Sequence, residues 1–240
     1  MTSTENVEFT GLAALRNRKK AKQDAAESRD RPDAVWFKIN PNEVLTVRFL
    51  QELDESSPNY NEAFGTYKGM SEHNAHGKSG FQSRATCTKE TDPEGRCYPH
   101  EMIKATGELG WKLKENFYIN VAVDRGGDKP SVEILSRNLH SSFVDDLGDE
   151  CDDNENSITD KTWTIIRKGA GTDTKWKLKE SKEDLDVSGL EVWDLDVYVP
   201  RNIPYEKQKE WFAKNYTPDA PKEDGDTSSD NNVGEDAPSW

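Results

Sequence analysis

The chain has little apolar material: 32% of its 240 residues are hydrophobic, and the mean hydropathy is −0.97. No run of about 18 apolar residues occurs, which excludes a membrane-spanning helix. The N-terminus lacks the apolar stretch of a secretory leader. Cysteine is scarce. Three residues cannot build a disulfide framework, and an odd count suits a reducing cytoplasm or metal ligation. Familiar catalytic signatures are missing too. Residues 169–175, GAGTDTK, lack the Gly-Lys-Ser/Thr end of a phosphate loop. DDNENSITD lacks the glycine and final glutamate of a calcium loop, and there is no Gly-x-Ser-x-Gly elbow. No internal repeat is present, nor the alternation of strand and long helix that a parallel sheet needs.

What is present is unevenly distributed. Seven Trp, seven Tyr and eight Phe suffice to seed a core. Lys and Arg number 32 against 46 Asp and Glu, a net charge of −14. Residues 1–31 are locally basic: Arg16, Arg18, Lys19, Lys20 and Lys22 lie in GLAALRNRKKAK, which holds no acid. Such an arm is either a solvated terminal helix or a contact for phosphate or an acidic neighbour. Residues 219–240 carry seven acids and one lysine among Gly, Ser, Asn and Pro, a composition that predicts disorder. Trp240 ends this tail, an apolar ring suited to docking on partner proteins. The middle, 32–218, holds the ordered core. Eight acids fall between Asp145 and Asp160, so the acidity is segregated and local basic surfaces remain.

Alternation predicts strands over Val35–Ile39, Val44–Leu50, Asn116–Val123, Ser131–Leu135, Lys161–Lys168, Thr174–Lys179 and Leu190–Val199. Gly126-Gly127-Asp128 predicts a hairpin turn. Leu139, Phe143 and Leu147 predict a short helix, and Pro204 opens another that carries Trp211 and Phe212. Short strands with few helices predict a mainly β fold, an antiparallel Greek-key barrel of the OB type with insertions.

His73, His76, Cys87, Cys97 and His100 lie close together, spaced Cys87-x9-Cys97-x2-His100. A Cys-x2-His pair wraps a tight knuckle, and Pro93-Glu94-Gly95 can turn the chain back toward Cys87. With His73 or His76 as fourth ligand, the set suits tetrahedral Zn²⁺. Residues 68–107 hold few large apolar groups, so a metal would supply stability that burial cannot. A loop with two free thiols is the bland alternative. Cys151, within the acid run, reads as a bystander.

Single-stranded nucleic acid is held by cations and stacking rings. Trp111, Lys112, Lys114 and Tyr118 fall in one segment, with Tyr118 on the strand face away from the core. Lys175, Lys177 and Lys179 share one strand face. Arg48 faces outward on its own strand, and Arg84 and Arg96 flank the knuckle.

These features together resemble the T-even phage single-stranded DNA-binding family, the helix-destabilising proteins of phage replication. That family interrupts an OB-type barrel with a zinc subdomain, whose ligands are an upstream His and Cys-x9-Cys-x2-Cys. Here His73 or His76 precedes Cys87-x9-Cys97, and His100 stands in place of the last Cys. VWFKINPNEVLTVRFL is similar to the family's first hairpin, and WKLKENFYINVAV to its DNA-lining segment. The resemblance spans roughly residues 33–200, with the zinc subdomain at about 68–107. It implies a sequence-independent, non-enzymatic single-stranded DNA-binding protein with structural Zn²⁺, acting in DNA replication, recombination and repair in the host cytoplasm. It implies DNA contacts at Lys112, Lys114 and Tyr118, and self-association along DNA through the basic arm. The acidic tail would recruit replication proteins such as polymerase or helicase. The alternatives are a zinc nuclease of the His-Asn-His kind, which His73-Asn74 matches incompletely, and an acidic zinc-stabilised adaptor that binds only proteins.

Overall fold

A computed structural model describes residues 34–74, 84–107, 113–170 and 173–215. The basic arm with Arg16, Arg18, Lys19, Lys20 and Lys22, the candidates His76, Trp111 and Lys112, and the tail with Trp240 lie outside the described residues.

Seven strands form one sheet in which every pair of neighbours is antiparallel: β1 (Val44–Phe49), β2 (Lys68–Asn74), β3 (Arg84–Thr86), β4 (Leu113–Val123), β5 (Ser131–Asn138), β6 (Trp163–Lys168) and β7 (Lys175–Glu180). The order is β3-β2-β4-β1-β6-β7, and β5 lies on the other edge of β4. The length of β4 makes this arrangement work. Its first half pairs with β2 from Lys68↔Tyr118 to His73↔Leu113, its last residues pair with β1, and β5 runs along the opposite edge. Four helices complete the described fold: α1 (Tyr98–Thr106), α2 (Ser142–Asp153), α3 (Leu195–Tyr198) and α4 (Tyr205–Asn215).

The core follows the alternation in sequence. Leu45, Val47 and Phe49 of β1 meet Phe117, Ile119, Val121 and Val123 of β4, with Leu135, Trp163, Ile165 and Leu178 from β5, β6 and β7. α2 lays Phe143, Leu147 and Cys151 over them, one residue per turn. The rest of α2 turns acids outward, so the helix runs well into the acidic stretch. The indole N–H of Trp163 is satisfied by the Ile158 carbonyl at 2.9 Å. Between β4 and β5, Gly126 takes a left-handed conformation (φ +75°), and its N–H donates to the Asp124 carboxylate.

Two predicted strands form differently. Val35–Ile39 makes only a single parallel bridge, Trp36↔Ile134. Leu190–Val199 is no strand: it straps the second face of β4 and ends in α3. The Asn120 side chain explains why. Its Oδ1 accepts from the Trp193 N–H and its Nδ2 donates to the Trp193 carbonyl, so a side chain occupies the backbone groups a ladder would have used. Asp194 then accepts from the Asp196 N–H and caps α3.

Candidate metal centre and cationic strand face

The insertion between β1 and β4 brings four ligand residues to one point. Register places His73 opposite Ala85, and the chain leaves β3 directly into Cys87, whose N–H donates to the Ser71 carbonyl at 2.8 Å. A tight turn follows. The Thr88 carbonyl accepts from the Thr91 and Asp92 N–H groups, and Gly95 is left-handed (φ +67°). Asp92 pins this turn, accepting from the Glu94 N–H, the Arg96 N–H and Arg96 Nε at 3.0–3.1 Å. The chain therefore returns to Cys97, which is the N-cap of α1, with Pro99 early in the helix and His100 one residue later.

Cys87 Sγ lies 3.9 Å from Cys97 Sγ and 3.8 Å from His100 Nδ1. The rings of His73 and His100 stand edge to face, 4.8 Å between centroids. Ligand atoms of His73, Cys87, Cys97 and His100 all lie within 4.8 Å of one another, so the cluster could hold a metal ion. With metal–sulfur bonds of about 2.3 Å and metal–nitrogen bonds of about 2.0 Å, a tetrahedron has edges of about 3.8 Å between sulfurs and about 3.5 Å from sulfur to nitrogen. The sulfur–sulfur distance of 3.9 Å and the Cys87–His100 distance of 3.8 Å lie close to those edges. Cys97 is held well below the ordinary thiol range, first by the hydrogen bond from Cys87 and then by His73 and His100, against the effect of burial. The same shared bond, followed by burial, pushes the Cys87 thiol up. A Cys97 thiolate is the form a metal binds.

One brace of this centre was not visible from spacing. Gln208, fully buried on α4, accepts from the Tyr98 N–H at 2.8 Å and donates to Thr88 Oγ1 at 3.0 Å, while Thr88 Oγ1 donates to the Arg96 carbonyl. It thus ties both ends of the Cys87–Cys97 turn to the closing helix. Phe212 stacks on Tyr98 nearby and packs with Ala85. A lone glutamine in an amphipathic helix carries no sequence signal for such a role.

The predicted nucleic-acid residues divide. Lys175, Lys177 and Lys179 stand exposed on one face of β7. Register sets Lys168 of β6 beside Lys175, and carries the same face across Ile166 and Thr164 to Val44 and Thr46 of β1. Arg48 lies on that face but is committed elsewhere. It donates to the Thr159 and Leu185 carbonyls at 2.9 and 3.3 Å and pairs with Asp184 at 3.2 Å. Arg96 is likewise engaged, by Asp92, Glu94 and Glu206. Lys114 is partly buried opposite Glu72.

Tyr118 and Arg84 correct the surface reading. Tyr118 does face away from the main core, as alternation predicts, but that face is covered. Tyr118 is 0% exposed and Arg84 2%. The Tyr118 hydroxyl donates to the Glu72 carboxylate at 2.5 Å and accepts from the Arg84 guanidinium at 3.0 Å. Asn116 donates to the same Glu72 oxygen at 2.6 Å, and Arg84 also reaches Ser136. Burial raises the Glu72 carboxyl above its ordinary value, opposed by Tyr118 and Arg84. Burial and then the Glu72 charge push the Tyr118 hydroxyl up. The misreading arose because β4 is covered on both faces, by the core on one side and by the strap, Trp36 and this polar network on the other.

No family model matches the chain, and no curated protein or solved structure matches it. Among the described residues, no helix is long and apolar enough to cross a membrane.

Proposed function

We propose that the chain is a sequence-independent single-stranded DNA-binding protein without catalytic activity, built on an OB-type barrel with a structural zinc ion. The observation that carries this reading is the row Lys175, Lys177 and Lys179, exposed on the last strand with Lys168 beside it. Alternate residues of a strand are about 6.8 Å apart, near the repeat of a phosphate backbone.

The connectivity supports it. β1, β4 and β5 pair in succession, α2 follows β5, and β6 returns to the free edge of β1 before turning into β7. Stripped of the insertion with β2, β3 and α1, that order is compatible with an OB barrel, whose first and last loops bind oligonucleotides. On this reading the insertion with the His/Cys cluster would be the first of those loops and the β6–β7 turn the last.

Two thiolates and two imidazoles at tetrahedral spacing favour zinc, held by His73, Cys87, Cys97 and His100. The ion would cross-link a segment with a small apolar core. The basic arm would mediate contacts between neighbouring copies on DNA. The acidic tail would compete for the cationic surface and, once displaced, recruit replication proteins through Trp240.

Titration of the zinc-loaded full chain with oligo-dT and with duplex, at two salt concentrations, tests the reading. Preference for oligo-dT and a steep loss of affinity with salt are expected. Deleting 219–240 should tighten binding. Indifference to oligo-dT at low salt would reject the reading in favour of a protein-only adaptor, and magnesium-dependent cleavage lost in His73→Ala would favour a nuclease.

A further inference from the structure

The core holds a pair of arginines that the proposed function does not use. Arg137 at the end of β5 and Arg167 on β6 are 8% and 6% exposed. Both turn toward Trp176, which faces Arg167 across the β6–β7 ladder. The Arg137 guanidinium carbon lies 3.1 Å from the centre of the Trp176 ring and 5.7 Å from that of Phe143, and Arg167 lies 5.9 Å from Trp176. Arg167 donates to the Ile39 carbonyl at 2.8 Å, yet Nε of each arginine is buried without a hydrogen-bond partner. No carboxylate among the described residues forms an ion pair with either.

This is an unusual state for a charge. The exposed Arg125 of the same protein has the ordinary solution, a two-pronged contact with the buried Glu133 at 2.7 and 2.9 Å. A buried guanidinium without a counter-charge is costly, and a second one beside it adds repulsion. Burial, and next the charge of Arg167, weaken the hold of Arg137 on its proton. Stacking on an indole offsets part of that cost but supplies no negative charge. Trp176 itself is only partly buried, one residue from the turn end of the hairpin, where the exposed Lys168 and Lys175 project from the opposite face. The solvent-touched edge of Trp176 is therefore where an anion can approach the pair.

We propose that Arg137 and Arg167, gathered around Trp176, form a binding site for a phosphate-class oxyanion. Planar guanidinium forks match the acceptors of such an anion, and two charges beside one ring suit a doubly charged ligand. The anion is either free phosphate or one phosphate of a nucleic-acid backbone. The inference stands without the DNA-binding reading, since it rests on two uncompensated charges rather than on the exposed lysine row.

The test uses the full-length, zinc-loaded chain labelled with ¹⁵N, with inorganic phosphate and oligo-dT as separate probes and chloride holding ionic strength constant. The side-chain Nε–H signals of Arg137 and Arg167 should move on addition of phosphate. Phosphate stabilises many proteins by exclusion from their surface, so the thermal readout is the difference between the wild type and R137M or R167M. At phosphate roughly tenfold above its dissociation constant, the wild type should gain about 3–5 °C more than either variant. Should both variants fail to fold, the Nε signals of the wild type decide alone. Movement with phosphate only assigns the site to free phosphate, and movement with oligo-dT assigns it to a strand. Signals that ignore both probes, or equal thermal gains in wild type and variants, overturn the proposal. Oligo-dT affinity is measured independently, so failure to bind strand would sink the proposed function and leave the phosphate result standing.

Discussion

Removing the zinc ion proposed above is the sharpest perturbation this chain offers. His73, Cys87, Cys97 and His100 converge from one strand, one turn and one helix start, held otherwise by the Asp92 and Gln208 hydrogen bonds. The insertion's own apolar cluster is small: Ala85 and Phe212 are its buried members, with Tyr98, Met102, Ile103, Ile203 and Trp211 partly buried around them. An ion free at about a thousand times its dissociation constant stabilises the folded chain by about 4 kcal/mol. For a domain of this size that is about 8–16 °C in Tm. Chelation, or Cys97→Ser in the presence of zinc, should lower Tm by that amount. Hydrogen exchange should quicken first in β3, α1 and α4 and last in the β1–β4–β5 core. Replacing zinc by cobalt should give the visible bands of a tetrahedral ion with two thiolates. Chelated protein with the Tm of the untreated sample, or cobalt without thiolate bands, would refute the assignment of these four residues.

Tyr118→Phe removes the hydroxyl that donates to Glu72 and leaves an Arg84 N–H without its acceptor. A hydrogen bond to a charged group contributes about 1.5–3 kcal/mol, so calorimetry should show Tm lower by about 3–12 °C with zinc content unchanged. Changing Lys175, Lys177 and Lys179 together to Ala should flatten the plot of log affinity for oligo-dT against log salt by up to about 2, with Tm preserved. Cys151 should resist alkylation at neutral pH while zinc is bound, and chelation should expose two thiols, not three. Burial, then Glu52 and nearby aspartates, push Cys151 from its ordinary 9.0 up to about 11. The native state thus holds this proton more tightly than the unfolded chain. Its contribution is full below pH 9 and fades as pH rises through about 11, so Cys151→Ala should lose less stability than the wild type across that window.

Most of the frame was legible because alternation is a direct record of one buried face. VLTVRF, the Phe117–Val123 register and the pairing of Trp176 with Leu178 all fell where period two put them. So did the helix through Phe143 and Leu147, though it begins at Ser142 and leaves Leu139 in the turn before it. The knuckle was legible from Cys87, Cys97 and His100 because metal ligation imposes spacing. Burial of a second face leaves no such mark. Tyr118 and Asn120 look like solvent residues in NFYINVAV, and only the strap over them makes them interior. Leu190–Val199 alternates well enough to read as a strand, yet Asn120 had already taken its backbone partners. Gln208, which braces the knuckle, depends on contacts more than a hundred residues away in sequence, which no local pattern encodes.

The last strand of the sheet carries a further consequence. β7 pairs only with β6, so one whole side of its backbone is left unzipped among the described strands. Such a margin is a template on which a second molecule can add its own strand and begin a fibril. A lysine at every other position sets like charges against each other whenever two such margins approach. The spacing that would seat a polyanion also keeps crowded copies from stitching together.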